Sequence, residues 1–240
     1  MRIIMIKLKR FIKKFVKKSN LGLYSDLLKF KSGNKFEVDN HLLAKFIVNE
    51  IIPVIGYHPF PLSELNLMTA TVCRLQPDYI IEWGTHIGKS ARIFYETVKA
   101  TGLKTEIHSI DLPEEIEHIE HPHQNRGKLV KDITAVTLHL GDCLEVIENN
   151  FNKSEIKDKK ILFFVDGDHS YESVKKELNY IINNFPKAAI LLHDTFYQTP
   201  ESNYNVGPHQ AIKEISEQYP NQYNVLETNT GLPGMTLLYK

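Results

Sequence analysis

The chain has 240 residues, room for one large α/β domain rather than two of about 150 residues each. With 42% hydrophobic and 24% charged residues it is neither fibrous nor disordered in composition. Its two cysteines, Cys73 and Cys143, form no CxxC pair, which excludes a disulfide scaffold and a Cys-rich zinc site.

The net charge of zero hides an asymmetry. Residues 1–18 hold eight Lys or Arg and no acid, which leaves minus eight on residues 19–240. A body that acidic is expected not to bind nucleic acid. At about 100° per residue, Ile4, Met5, Leu8, Phe11, Ile12, Phe15 and Val16 fall on one side of a helix. Lys7, Lys9, Arg10, Lys13, Lys14, Lys17 and Lys18 take the other, and only Ile3 and Ile6 are out of place. A basic amphipathic helix with Phe on its apolar face suits a membrane interface, each cation contributing about 1 kcal/mol toward an anionic leaflet. Two expectations stand side by side. One is peripheral contact with an anionic membrane on its inner, cytoplasmic face; the other is packing on the domain or on a second copy in a homo-oligomer. A secretory signal does not fit, because the charges interrupt every apolar run. No run of about 18 apolar residues occurs, so no spanning helix is expected.

Residues 19–61 read as a connector with a helix over His41–Ile52, broken by Pro53, Pro59 and Pro61. Leu62–Leu75 reads as a helix capped by Ser63. A regular alternation then begins. Strands are expected at Asp78–Trp83, Glu106–Ile110, Val136–Leu140, Ile161–Val165 and Ala188–Leu192. Helices are expected at Lys89–Ala100, Cys143–Asn149, Tyr171–Asn183 and Gln210–Gln218. Tyr223–Leu226 and Met235–Tyr239 suggest a closing antiparallel hairpin. Ile-, Val- and Phe-rich strands alternating with helices predict a doubly wound, Rossmann-like α/β fold: a mostly parallel seven-stranded sheet with an antiparallel C-terminal strand.

In such sheets the ligand sits at the carboxyl ends of the strands. Those ends carry Glu82, Asp111, Asp142, Asp166 and the pair His193-Asp194. An acid at every parallel strand end exceeds what packing requires. The first loop, Glu82-Trp83-Gly84-Thr85-His86-Ile87-Gly88-Lys89-Ser90, lets a ligand approach the backbone and the amides of a helix N-terminus. It is no GxGxxG dinucleotide loop, having GxxxG. It falls one residue short of the GxxxxGK[ST] phosphate loop, and Phe163-Phe164-Val165-Asp166 would serve as the magnesium strand. A nucleotide phosphohydrolase or kinase of the phosphate-loop type is therefore the runner-up. The ExGxxxGxS pattern of S-adenosylmethionine sites fits Glu82, Gly84, Gly88 and Ser90 without a gap.

Residues 62–240 resemble the class I S-adenosylmethionine-dependent methyltransferases. Within them they resemble the metal-dependent O-methyltransferases grouped with cephalosporin hydroxylase-like, macrolide-sugar and rhamnosyl enzymes. The resemblance rests on Ile80–Ser90 (IIEWGTHIGKS), Ser109–Leu112 (SIDL), Leu140–Ile147 (LGDCLEVI), Phe164–Val174 (FVDGDHSYESV) and Leu191–Phe196 (LLHDTF), in that order. It implies S-adenosylmethionine as cofactor. Glu82 and Gly84 would face its methionine end, Asp111 would accept from the ribose hydroxyls, and Asp142 would accept from the adenine amino group with Cys143 donating its amide. Thr85, Gly88, Ser90, Leu112 and Asp166 would complete the cofactor site. Helix capping is the plainer reading of Asp111, Asp142 and Asp166.

The resemblance also implies a divalent cation at Asp166, His193 and Asp194. Carboxylates suit Mg²⁺, whereas an imidazole at His193 shifts preference toward Mn²⁺. His169, three residues beyond Asp166, corresponds to the general base, with Asp166 beside it in the catalytic pair. A helix-start histidine is its plainer reading. The expected reaction is methyl transfer to a hydroxyl of a small molecule, a sugar or glycoconjugate, lipid-linked if residues 1–18 meet a membrane. A catalytically inactive binder of adenosyl ligands is a further reading. His118, His121 and His123 suggest a substrate loop. Tyr197, Tyr204, His209 and Gln210 follow the fifth strand, where acceptor loops lie.

Overall fold

The computed structural model describes residues 22–29, 35–113, 116, 125–151, 153–228 and 230–240. The basic segment 1–18 and the three histidines at 118, 121 and 123 lie outside the described residues, so the expectations placed on them stay as sequence readings.

Seven strands form one sheet: β1 (Tyr79–Trp83), β2 (Glu106–Asp111), β3 (Val136–Leu140), β4 (Ile161–Val165), β5 (Ala189–His193), β6 (Asn224–Glu227) and β7 (Met235–Tyr239). Their order is β3-β2-β1-β4-β5-β7-β6. β1 to β5 are parallel, β7 runs antiparallel to β5, and β6 runs antiparallel to β7. The expected doubly wound sheet is present, with each boundary within a few residues of the pattern. The chain reverses its winding between β1 and β4, and a crevice opens at such a switch point.

The helices are α1 (Asn40–Phe46), α2 (Ile52–Ile55), α3 (Leu62–Leu75), α4 (Lys89–Thr101), α5 (Cys143–Asn150), α6 (Lys153–Ile156), α7 (Tyr171–Asn184) and α8 (Val206–Gln218). They cover both faces of the sheet. The side-chain alternation of β4 shows why two layers are needed. Leu162 and Phe164 join the core beneath α3 and α4, while Ile161, Phe163 and Val165 join the core beneath α7 and α8. A strand buried on both faces is apolar at every position, which explains the unbroken run Ile161–Val165.

Two local readings are corrected. Pro53 does not break the chain: it sits in the first turn of α2, and a π-helical turn (Ile47–Ile51) joins α1 to α2 ahead of it. Pro61, not Ser63, precedes α3. Its carbonyl accepts from the amides of Glu64 (3.0 Å) and Leu65 (2.9 Å). The connector is also better tied than its composition suggests. Tyr24 donates its amide to the Ala100 carbonyl at 2.9 Å, and Tyr24 and Leu27 are buried in the same core as Leu43 and Phe46.

Candidate active site

Because β1 to β5 are parallel, all five strand-end acids emerge at one edge of the sheet. The loop after β1 and the start of the loop after β4 meet there. The Asp166 amide donates to the Trp83 carbonyl at 2.9 Å. Gly84 has a φ of +96°, and a Cβ on it would lie 2.1 Å from the Asp166 carbonyl oxygen. Only glycine fits both that backbone conformation and that approach.

Glu82 is fully buried, and its strand register puts it opposite Ser109. The Ser109 hydroxyl donates to Oε2, and Oε1 has no hydrogen-bond partner. Burial pushes this carboxyl up to about 8, against the pull of the Ser109 and Ser90 hydroxyls and with the push of Asp166 and Asp111.

Asp111 does not cap a helix. Its Oδ2 accepts from the amides of Thr85 (3.1 Å) and His86 (2.9 Å), and Arg126 Nε lies 3.4 Å away. Its Oδ1 accepts from the Leu112 amide at 2.8 Å. The carboxylate thus fastens the glycine loop and keeps lone-pair capacity on Oδ1 for a ligand. The same contact argues against a phosphate loop, since a carboxylate occupies two of the amides that would cradle phosphate. Lys89 donates to the His58 carbonyl on the wall of the same cavity. Thr85 shares a 2.6 Å hydrogen bond with Ser109, and Ser90 is buried at the start of α4 behind Gly88.

Asp142 does cap. Its Oδ1 accepts from the amides of Leu144 (2.9 Å) and Glu145 (3.1 Å) at the start of α5. Cys143 is half-buried, with Sγ 3.5 Å from Glu177 Oε1, and burial with that carboxylate pushes its thiol up. Asp166 does not cap α7; Ser170 does.

Asp166, His193 and Asp194 converge instead. Each offers one ligand atom, all within 4.8 Å of one another. His193 Nδ1 lies 3.0 Å from both Asp166 Oδ1 and Asp194 Oδ2. Asp194 reaches this position with φ +54°, a strained conformation for a residue with a side chain. Burial alone would raise the Asp166 carboxyl, but the charge of His193 and the hydrogen bonds from His169 and His193 hold it down to about 2. His169 is no plain helix-start residue either: its Nε2 lies 3.3 Å from Asp194 Oδ2 and 3.6 Å from Asp166 Oδ1. Two carboxylates and an imidazole nitrogen are a donor set that fits a divalent cation.

The glycine loop and this cluster open into one cavity of about 350 Å³, whose wall includes Gly84, Thr85, His86, Asp166, His169 and Asp194. A second cleft of about 510 Å³ shares His193 and Asp194 and is walled by Tyr57, Tyr204 and Leu232. Tyr57 (66% exposed) and Tyr204 (63%) stand at its mouth with little packed against them. Of the acceptor-loop candidates, Tyr204 is the one in this cleft. Tyr197 stacks on His209 at 4.3 Å, and Gln210 donates to Glu214.

Sequence reasoning missed Glu64. It is 1% exposed on α3, and its Oε2 lies 3.0 Å from His193 Nε2. One signal was available: an acid directly beside Leu65 and one turn before Leu67 and Met68, on the face that helix buries.

Residues 81–195 match the family described as Methyltransferase domain. An uncharacterized protein, y4gI, of Sinorhizobium fredii is 30% identical over 125 residues. That stretch is 50% of this chain and 13% of the relative, so the chain spans about an eighth of that protein's length. Among solved structures, the O-methyltransferase TomG of Streptomyces achromogenes, in complex with S-adenosylmethionine, is 14% identical. The match has a TM-score of 0.54 and covers 83% of this chain and 96% of TomG. The O-methyltransferase of Bacillus cereus, in complex with S-adenosylhomocysteine, is 15% identical with a TM-score of 0.52, over 84% and 92% of the two chains. At these identities the likeness is one of fold. The matched segment, residues 81–195, takes in both the glycine loop and the Asp166–His193–Asp194 cluster of this Rossmann-like fold.

Proposed function

We propose that the chain transfers a methyl group from S-adenosylmethionine to a hydroxyl of a small molecule, a sugar or glycoconjugate. One observation carries the reading: the glycine loop and the Asp166–His193–Asp194 cluster share one cavity. Such an arrangement brings a methyl donor and an acceptor into in-line range, where pre-organisation supplies most of the acceleration.

Gly84 would let the donor lie against the backbone, Glu82 would stand behind the loop at its methionine end, and Asp111 Oδ1 has capacity for its ribose. Asp166, His193 and Asp194 would hold Mg²⁺ or Mn²⁺. When bound, the ion supplies positive charge that makes a nearby hydroxyl more acidic. His169, on the cavity wall beside Asp166 and Asp194, would take the hydroxyl proton. Tyr57 and Tyr204 offer ring faces to the apolar face of a sugar. With residues 1–18 at an anionic surface, a lipid-linked glycan would be presented to the same cleft.

Calorimetric titration with S-adenosylhomocysteine, beside ATP with Mg²⁺, tests the cofactor. Micromolar binding of the former with no heat from ATP is expected; heat from ATP alone would sink the reading. Among the described residues no helix is long and apolar enough to cross a membrane. Membrane contact is tested by vesicle co-sedimentation, and equal binding of the full chain and of a chain lacking residues 1–18 would exclude that segment as the anchor.

A further inference from the structure

His193 is gripped on both sides. Its Nδ1 faces Asp166 Oδ1 and Asp194 Oδ2, each at 3.0 Å. Its Nε2 lies 3.0 Å from Glu64 Oε2, and the Phe60 ring packs edge-on against it at 4.9 Å. The other oxygen of Glu64 is also used: Oε1 accepts from the Gly234 amide at 2.7 Å. Glu64 therefore ties α3 to the end of β5 and to the entrance of β7. It does so from 17 residues before the segment that matches the methyltransferase family.

A buried carboxylate costs free energy unless both oxygens are satisfied, so the position is not explained by packing alone. A neutral imidazole carries one N–H, and an ionised carboxylate only accepts. Nδ1 faces two carboxylate oxygens and Nε2 a third, so the ring can donate on both sides; when a cation takes the Nδ1 side, that nitrogen presents its lone pair and Glu64 holds the one remaining proton on Nε2. We propose that Glu64 is a positioning residue that fixes His193 as an Nδ1 ligand for the divalent cation. The inference rests on the cation reading above. It assigns the metal group a third carboxylate, in a supporting role, on a helix outside the family segment. Carboxylate–imidazole–metal relays of this kind typically strengthen metal affinity about 10- to 100-fold.

The variant that tests it is Glu64→Gln. A glutamine has one carbonyl oxygen, so it cannot accept from both His193 Nε2 and the Gly234 amide. Mn²⁺ affinity is read by electron paramagnetic resonance, and S-adenosylhomocysteine affinity by calorimetry on the same samples. The expected result is Mn²⁺ binding weakened about 10- to 100-fold, with the nucleoside affinity within about threefold. Mn²⁺ affinity within twofold of the parent would overturn the proposal and leave Glu64 as a tether between α3 and β7. A second measurement needs no variant. In the ¹H–¹⁵N spectrum of the Zn²⁺-loaded parent protein, His193 is expected to carry its proton on Nε2 alone; a proton on Nδ1 would overturn the proposal even where the variant does not fold. Failure of the cation reading is distinguishable, because the parent protein itself would then bind no Mn²⁺.

Discussion

Gly84 and Asp166 meet so closely that a single methyl group on the glycine would lie 2.1 Å from the Asp166 carbonyl oxygen. The contact joins the loop after β1 to the loop after β4 across the switch point of the sheet. Gly84→Ala must move one of two backbones and adopt φ near +96° as well. The expected cost is about 3 kcal/mol or more, read by chemical denaturation, with S-adenosylhomocysteine binding lost. Parent-like stability would show that this loop is looser than its geometry implies.

Asp111 fastens the same loop through two amides. Asp111→Asn keeps one accepting oxygen and sets an amide group against the remaining donors. The expected loss is about 1–3 kcal/mol of stability, with nucleoside affinity down at least about tenfold, or 1.4 kcal/mol. Calorimetry and denaturation on the same preparation separate the two effects. Unchanged affinity would remove Asp111 from the cofactor site.

Glu82 carries a pH signature. Burial raises its carboxyl from the ordinary 4.5 to about 8, so between those values the folded state keeps a proton that the unfolded chain has released. Stability of the ligand-free protein is then expected to fall as pH rises through that window and to level off above it. Glu82→Gln holds a neutral group of the same shape and carries no such loss. The variant is expected to gain about 1–3 kcal/mol on the parent between pH 5 and pH 9, while binding S-adenosylhomocysteine at least tenfold more weakly. A pH-independent difference in stability would show that Glu82 does not titrate in this range.

His169 and Asp166 divide binding from turnover. His169 Nε2 faces both aspartates from the cavity wall. His169→Ala is expected to lower kcat about 10²- to 10⁴-fold and to leave S-adenosylhomocysteine affinity within about threefold. Asp166→Asn is expected to abolish Mn²⁺ binding, and EDTA to silence the parent enzyme, reversibly. Activity surviving both variants would remove the base and the metal together. Intact binding with no activity in the parent, across a panel of sugar acceptors, would point to the inactive adenosyl-binding reading.

How far the sequence reaches is clearest at three residues. Gly84 was legible as a loop glycine because a strand ends, a loop turns, and a helix begins within a few residues; its close approach to Asp166 on a distant loop was not. Asp111 was legible as a functional acid at a parallel strand end, but its grip on the Thr85 and His86 amides, 26 and 25 residues away, was not. Asp142 illustrates the opposite case, since the capping role, set by the residues immediately after it, is the one observed. Glu64 was invisible as a partner of His193. The two are 129 residues apart, and Glu64 reaches the Gly234 amide across 170.

The pattern by itself determined the alternation of strands and helices, the two-faced burial of β4, and the edge where five acids would emerge. Those follow from periodicity, turn residues and the handedness of parallel crossovers, which act over short stretches of chain. The tertiary structure alone decided which acid fastens a loop, which caps a helix, and which converge on an imidazole. A carboxylate has the same side chain in every one of these roles. What separates them is the set of donors brought within about 3 Å, and that set is assembled only when distant segments pack.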